Sequence, residues 1–335
     1  MRHPVVSILT PFKNTSSFLE ACLESILNQT YSHWELLIVD DHSSDDSYAI
    51  VEKFAKTDSR IRLFKNSGEG IIEALRLAFK NSKGKFITRM DSDDIMTPDK
   101  LEILVQNLQK YGRKHIAVGQ VKYFAEHGVN PGYKRYENWL NRLTQSGANF
   151  TEIYKECVIP SPNWMAYKDD LLQVGAFDHD DYPEDYDLTF RFYQAGFKCI
   201  PCDNVLHFWR DYSTRTSRTH IHYAQNYFLA IKMKYFLAVD HNPKKQLVIW
   251  GAGYKGKEIA KYLIKRKVPF DWVCDNPKKI GKTIYGQTMK SFQMLQSIKN
   301  PQSIITVANS SAQKQIRNYL DTLELKSIKD YIFVC

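Results

Sequence analysis

No stretch of this 335-residue chain reaches the run of about 18 uncharged apolar residues that crosses a bilayer. The best candidate, Tyr227 to Val239, is interrupted by Lys232 and Lys234. At the N-terminus Val5 to Leu9 lies between Pro4 and Pro11, too short for the apolar region of a signal peptide, so the expected location is the cytoplasm. Six cysteines without regular spacing exclude a disulfide framework and suit a reducing compartment. Cys199 and Cys202 have the spacing of a redox or zinc half-site, but no second pair completes a four-cysteine site, and a strand and turn is the expected explanation. No internal repeat or low-complexity segment is present. With 43% hydrophobic, 25% charged and 13% aromatic residues, the composition is that of a soluble globular protein, and the length predicts two domains.

The net charge of +9 is unevenly spread. Residues 1–240 carry 29 Lys+Arg against 31 Asp+Glu, whereas residues 241–335 carry 17 against 6. The basicity therefore belongs to the last ninety-odd residues, beyond a linker-like Asp240-His241-Asn242-Pro243. No zinc-finger spacing or RNA-binding aromatic signature accompanies it, so on charge alone a docking surface for anionic lipid or for another protein stands level with nucleic acid; the partners expected are membrane or protein, with no nucleic acid.

Val5 to Leu9 reads as a buried strand, and Ser17 with Glu20 three residues on predicts a capping box opening a helix with Leu19, Leu23, Ile26 and Leu27 on one face. Leu36 to Val39, Ile61 to Phe64 and Phe86 to Met90 read as further strands, with helices around Ile50 to Phe54 and Ile71 to Phe79 between them. This alternation predicts a parallel sheet with helices on its faces. Ligands of such a sheet sit beyond the carboxyl ends of the strands, where both acidic clusters fall: Asp40-Asp41, and Asp91 with Asp93 and Asp94. An Asp-x-Asp on extended backbone points two hard oxygen ligands the same way, an arrangement suited to Mg²⁺ or Mn²⁺ on a diphosphate. Such clusters also serve as turns and helix caps.

The order and spacing of four segments decide between these readings. Val5 to Asn14, Val39 to Asp45, Arg89 to Asp94 with Pro98, and Pro183-Glu184-Asp185-Tyr186-Asp187-Leu188 together resemble the inverting family 2 glycosyltransferases of the GT-A fold, over roughly residues 3–220. Gly70 to Leu75 is similar to bacterial members that build surface polysaccharides. The resemblance implies a GT-A, Rossmann-like nucleotide-diphospho-sugar transferase domain in an α/β chain. It implies that Thr10 and Pro11 line the nucleotide pocket, Asp41 bonds the base, Asp91 lies near the ribose, Asp93 ligates Mn²⁺ or Mg²⁺, and Asp185 is the catalytic base.

Glu184 and Asp185 also suit a helix start, where acids are favoured. His207 falls where some GT-A enzymes supply a third metal ligand, or it is a core histidine. Arg210, Arg215 and Arg218 sit where a loop closes over a diphosphate, or form a solvated basic loop; Glu184 falls in the same acceptor and diphosphate region. Trp164 is an acceptor-stacking candidate or a core residue. No Gln-x-x-Arg-Trp motif of processive synthases is present, so one sugar per encounter is expected.

From Gln246 the strand–helix pattern restarts: Leu247 to Trp250, a glycine turn with Gly251, Gly253 and Gly256, a helix from Ile259 to Leu263, and a strand ending at Asp275. That context is the one a dinucleotide fingerprint requires. The segment is long enough for about half of a full dinucleotide-binding domain, and resembles small Rossmann-like units appended to other sugar-modifying enzymes. The expected division is a GT-A domain over 1–220, a helical linker over 221–243, and a small Rossmann-like α/β domain over 244–335, serving nucleotide binding, homo-oligomer formation or docking. The function implied is a hexosyltransferase-class enzyme that moves a sugar from a nucleotide sugar, UDP in first place, to a lipid-linked or cell-surface glycan at the inner membrane face. The alternatives are a nucleotide-sugar binding or regulatory scaffold, and a bifunctional enzyme with an active C-terminal domain.

Overall fold

The apolar runs Val6–Phe12 (β1) and Trp34–Asp40 (β2) lie parallel in register from Val6 against Trp34 to Phe12 against Asp40. Every β2 residue is buried, as expected of a strand covered on both faces. A computed structural model describes residues 5–215 and 228–335, which divide into two compact units. In the first, Ile61–Lys65 (β3) pairs with β2, and Phe86–Arg89 (β4) pairs with β1, both parallel. The sheet has seven strands in the order β3-β2-β1-β4-β8-β6-β9, where β6 is His115–Val118, β8 is Trp164–Tyr167 and β9 is Lys198–Ile200. Strand β8 runs antiparallel to both β4 and β6. A second small sheet joins Ile95–Met96 (β5), Gln120–Phe124 (β7) and Val205–Arg210 (β10) in the order β5-β10-β7.

The helix Ser16–Leu27 (α1) buries Leu19, Cys22, Leu23 and Ile26 against β1 and β2, so its 3.6-residue pattern is repeated in its packing. The capping box at Ser17 and Glu20 does not form. The helix opens two residues earlier, with Thr15 as its N-cap, and both residues stand exposed. The Thr15 hydroxyl is committed elsewhere, donating to Ser92 Oγ at 3.1 Å. The helices Ser47–Thr57 (α2), Ile71–Asn81 (α3) and Lys100–Tyr111 (α4) follow, and Glu184–Gln194 forms the helix α7, after Pro131–Ser146 (α5) and Lys168–Gln173 (α6).

The second unit comprises residues 151–157 and the described residues from 228 onward. Residues 216–227, which include Arg218, Tyr223 and the start of the expected linker, lie outside the described residues. The helix Phe228–Tyr235 and the π-helical turn Phe236–Asp240, read above as linker, instead belong to this unit: Met233 and Phe236 are fully buried. Lys232 Nζ donates to the Lys155 carbonyl at 2.8 Å, and the Tyr154 hydroxyl to Asp240 at 2.5 Å, which ties residues 151–157 to the turn.

The unit's sheet has the order β13-β14-β12-β11-β15-β16, from Thr283–Ile284, Gln287–Ser291, Asp271–Cys274, Gln246–Trp250, Pro301–Ile305 and Tyr331–Phe333. The hairpin Thr283–Ser291 was not legible beforehand; its short polar strands carry little alternation. Cys199 and Cys202 are free thiols, and both are buried.

Candidate active site

The loops after β1 and β2 are stitched together by short polar side chains. Asn14 Oδ1 accepts from the Ser44 N–H at 2.7 Å, and the Asn14 N–H donates to Ser43 Oγ at 3.1 Å. This lattice fixes Asp41, whose N–H donates to the Phe12 carbonyl at 2.8 Å. Asp41 Oδ1 accepts from Asn66 Nδ2 at 2.7 Å and from the Gly70 N–H at 2.9 Å. Gly70 has φ of +89°, a conformation costly for any residue with a Cβ, so glycine is required to aim that N–H. On β1, Pro11 is partly exposed, whereas Thr10 is fully buried, with no partner for its hydroxyl. Thr10 therefore offers no side-chain surface to a nucleotide in this structure.

The β4 end carries Asp91, Ser92, Asp93 and Asp94. Asp93 Oδ2 accepts from the Tyr212 hydroxyl at 2.9 Å, and its carbonyl from Arg210 Nε at 2.7 Å. Burial first, and then the neighbouring Asp94 charge, push the Asp93 carboxyl up to about 7, against the pull of Arg215. Asp94 is completely buried and also raised, chiefly by burial. Its Oδ1 accepts from the Arg210 N–H at 2.7 Å and its Oδ2 meets His207 Nε2 at 2.9 Å. Behind it Lys100 Nζ lies 3.2 Å from His207 Nδ1 and 2.7 Å from the Pro162 carbonyl.

His207 is fully buried, with its two ring nitrogens facing Lys100 and Asp94. Burial and the Lys100 charge hold it well below its ordinary pKa, so the ring is neutral. Burial also lowers Lys100 to about 7, so both ring nitrogens are engaged by groups that titrate in the same range.

Trp164 is a core residue. Only 2% of it is exposed, in β8, and its ring meets Phe192 edge-on at 6.1 Å, so no face is open to stack on a sugar. Arg210 is braced rather than free to swing, its guanidinium between the rings of Phe18 and Phe124 at 4.7 and 4.5 Å. Arg215 is buried over Trp209 and acts electrostatically on Asp93 and Asp94.

The helix α7 brings Glu184 and Asp185 to this place from about ninety residues downstream. Arg89, fully buried, donates to Glu184 Oε1 at 3.1 Å and to Asp91 Oδ1 at 3.4 Å, so one guanidinium spans the two acidic segments. Asp185 sits at the helix start, its Oδ1 accepting from the Tyr186 N–H at 2.8 Å. Burial first and the Glu184 charge second raise its carboxyl to about 7, with Arg89 pulling the other way. Tyr182 feels Glu184, Asp41 and Arg89 together, so the ends of β2 and β4 and the start of α7 lie near one another. Arg89 and Tyr182 were missed because each reads alone as an ordinary strand or turn residue. For Arg89 there was a signal: it precedes Asp91 by two, on the same strand face.

In the second unit Gly251, with φ of +121°, leaves no room for a side chain, since a Cβ would lie 2.4 Å from Thr306 Oγ1. A Cβ on Gly256 would lie 2.2 Å from the Gly251 carbonyl oxygen. Close strand–helix packing accounts for both glycines. Gly253 has open space around it, and Asp275 is exposed at the end of β12.

Residues 7–175, half of the chain, match the sequence model of the family described as Glycosyl transferase family 2. The glycosyltransferase GlyG of Streptococcus pneumoniae is 36% identical over 222 residues, covering 64% of this chain and 73% of GlyG. GlyA of the same organism is 28% identical over 61% of this chain, and chondroitin synthase of Escherichia coli 36% identical over 53%. The chain spans only 30% and 28% of the lengths of those two relatives. Among solved structures, S. aureus TarS in complex with UDP-GlcNAc superimposes with a TM-score of 0.54 at 16% identity, covering 77% of this chain and 71% of that one. The likeness to TarS is one of fold, and the fold is GT-A.

Proposed function

The chain belongs to glycosyl transferase family 2, and from that premise we propose that it moves a sugar from a nucleotide sugar to a hydroxyl of a lipid-linked or cell-surface glycan, one sugar per encounter, with inversion. The observation that carries this reading is the Arg89 bridge, which holds a carboxylate pair on α7 opposite the acidic end of β4. In the proposed reaction the acceptor oxygen attacks the anomeric carbon and Asp185 takes the acceptor proton. The bond from that carbon to the diphosphate breaks, and the nucleoside diphosphate leaves with the electron pair. A single displacement of this kind inverts the anomeric centre.

Asp41, held by Asn66 and Gly70, is the proposed partner of the base, and Asp91 lies toward the ribose. The buried acids at the β4 end fit a divalent cation: they offer hard oxygens, and their crowding disfavours ionisation in the absence of positive charge. Asp93 is the residue proposed to hold Mn²⁺ or Mg²⁺, which would supply positive charge to the departing diphosphate. UDP is the first donor to test, because TarS carries the same fold and was crystallised with UDP-GlcNAc. The lipid-linked acceptor would be met at the inner face of the cytoplasmic membrane.

The test is nucleotide release from UDP-, GDP- and dTDP-sugars, with and without Mn²⁺, by the wild type, Asp93→Ala and Asp185→Asn. Turnover of one donor, stimulated by metal and lost in both variants, is expected. Equal donor turnover by Asp185→Asn and the wild type would remove the base from the reading.

A further inference from the structure

Of the seven large apolar or aromatic side chains that stand exposed among the described residues, four fall within residues 254–285 of the second unit: Tyr254, Ile264, Ile280 and Tyr285, between 39% and 64% exposed. The same stretch, extended to residue 290, carries ten Lys+Arg against three Asp+Glu. The helix Tyr254–Lys265 buries Gly256, Ile259, Ala260 and Leu263, so its own apolar stripe is already used against the sheet. Tyr254, Lys257, Lys261 and Ile264, spaced three, four and three residues apart, make up a separate stripe. The hairpin borders that stripe: Lys261 Nζ lies 5.6 Å from the Tyr285 ring, and Tyr285 is stacked on Trp272. Lys279 Nζ donates to the Ala252 carbonyl at 2.8 Å, tying the segment before Ile280 to the turn that leads into the helix.

We propose that this lysine stripe, studded with Tyr254, Ile264, Ile280 and Tyr285, docks the protein on an anionic lipid surface. Lysines at the headgroup level gain from the surface charge, and exposed aromatic and aliphatic side chains gain by entering the interface. The apolar members distinguish a membrane from nucleic acid, since a phosphate backbone rewards the lysines but leaves isoleucine side chains in water. No helix among the described residues is long and apolar enough to span a bilayer, so the contact is peripheral. This inference concerns the second unit alone and does not depend on the transferase reading.

The experiment is co-sedimentation of the full chain with vesicles of phosphatidylcholine alone and with phosphatidylglycerol added. Binding to the anionic vesicles only, weakening between 0.1 and 0.5 M salt, is expected on the order of Debye screening. Lys261→Glu with Lys265→Glu should weaken it about tenfold or more. Ile264→Ser with Tyr285→Ser should weaken it at unchanged charge. Each variant's melting curve and donor hydrolysis should match the wild type, because these side chains are exposed and belong to the second unit. Absence of vesicle binding, equal loss from charge reversal at Lys314 and Lys326, or binding to duplex RNA in place of vesicles would each overturn the proposal.

Discussion

Arg89 donates to Glu184 Oε1 at 3.1 Å across a buried boundary, joining the end of β4 to the start of α7. Ninety-five residues of chain separate the two partners. Among the described residues Glu184 Oε2 has no hydrogen-bond partner, so the Arg89 bond is the contact that holds this carboxylate. Removing it leaves an uncompensated buried charge, which costs about 3–5 kcal/mol. Arg89→Leu is therefore expected to lose stability on that scale in urea denaturation. A loss below about 1 kcal/mol would show that the bridge does not hold α7 in place.

The same bridge sets the pH dependence. Asp185 must be ionised to accept a proton, and burial with the Glu184 charge holds it up at about 7. Turnover is therefore expected to rise with pH through about 7 and to level off above it. Glu184→Gln removes the negative neighbour, so the rising limb should move to lower pH. The effect on stability has the opposite sign: a carboxyl raised in the folded state favours folding most below its unfolded value, and that contribution is lost as pH rises through about 7. A rate profile unmoved by Glu184→Gln would separate Asp185 from the reaction's limiting ionisation.

His207 distinguishes bracing from metal binding. With its ring between Lys100 and Asp94, His207→Ala leaves two buried polar groups without their shared hydrogen-bond partner. The expected result is a stability loss of about 1–3 kcal/mol. Mn²⁺ affinity, measured calorimetrically on the folded fraction, should change much less than in Asp93→Ala. The reverse pattern would make the histidine a ligand.

Gly256→Ala tests the glycine turn of the second unit. Its Cβ would meet the Gly251 carbonyl oxygen, which is backbone and moves only with β11. A loss of about 1–3 kcal/mol is expected, as for an overpacked core. Intrinsic fluorescence should report it, because Trp250 and Trp272 lie in the affected sheet. Gly253→Ala, with open space around that residue, should be nearly silent in the same measurement.

The apolar runs at Val6, Leu36 and Phe86 were legible as strands because each is buried on both faces and closed by a polar loop, a local property of the chain. So was the clustering of Asp41, Asp91 and Asp93 at strand ends, which follows from strand period and helix alternation alone. The sequence by itself determined the α/β alternation, the acidic strand ends and the basic charge of the last third. Only the tertiary structure decided which side chains are buried together. His207 and Trp164 are suitable site residues by type, but burial commits one to Lys100 and Asp94 and the other to the core. Arg89 is an unremarked strand residue until α7 folds back and brings Glu184 within 3.1 Å. Burial and long-range pairing set the charge states of Asp93 and Asp185. Both depend on residues far apart in the chain, so no local pattern encodes them.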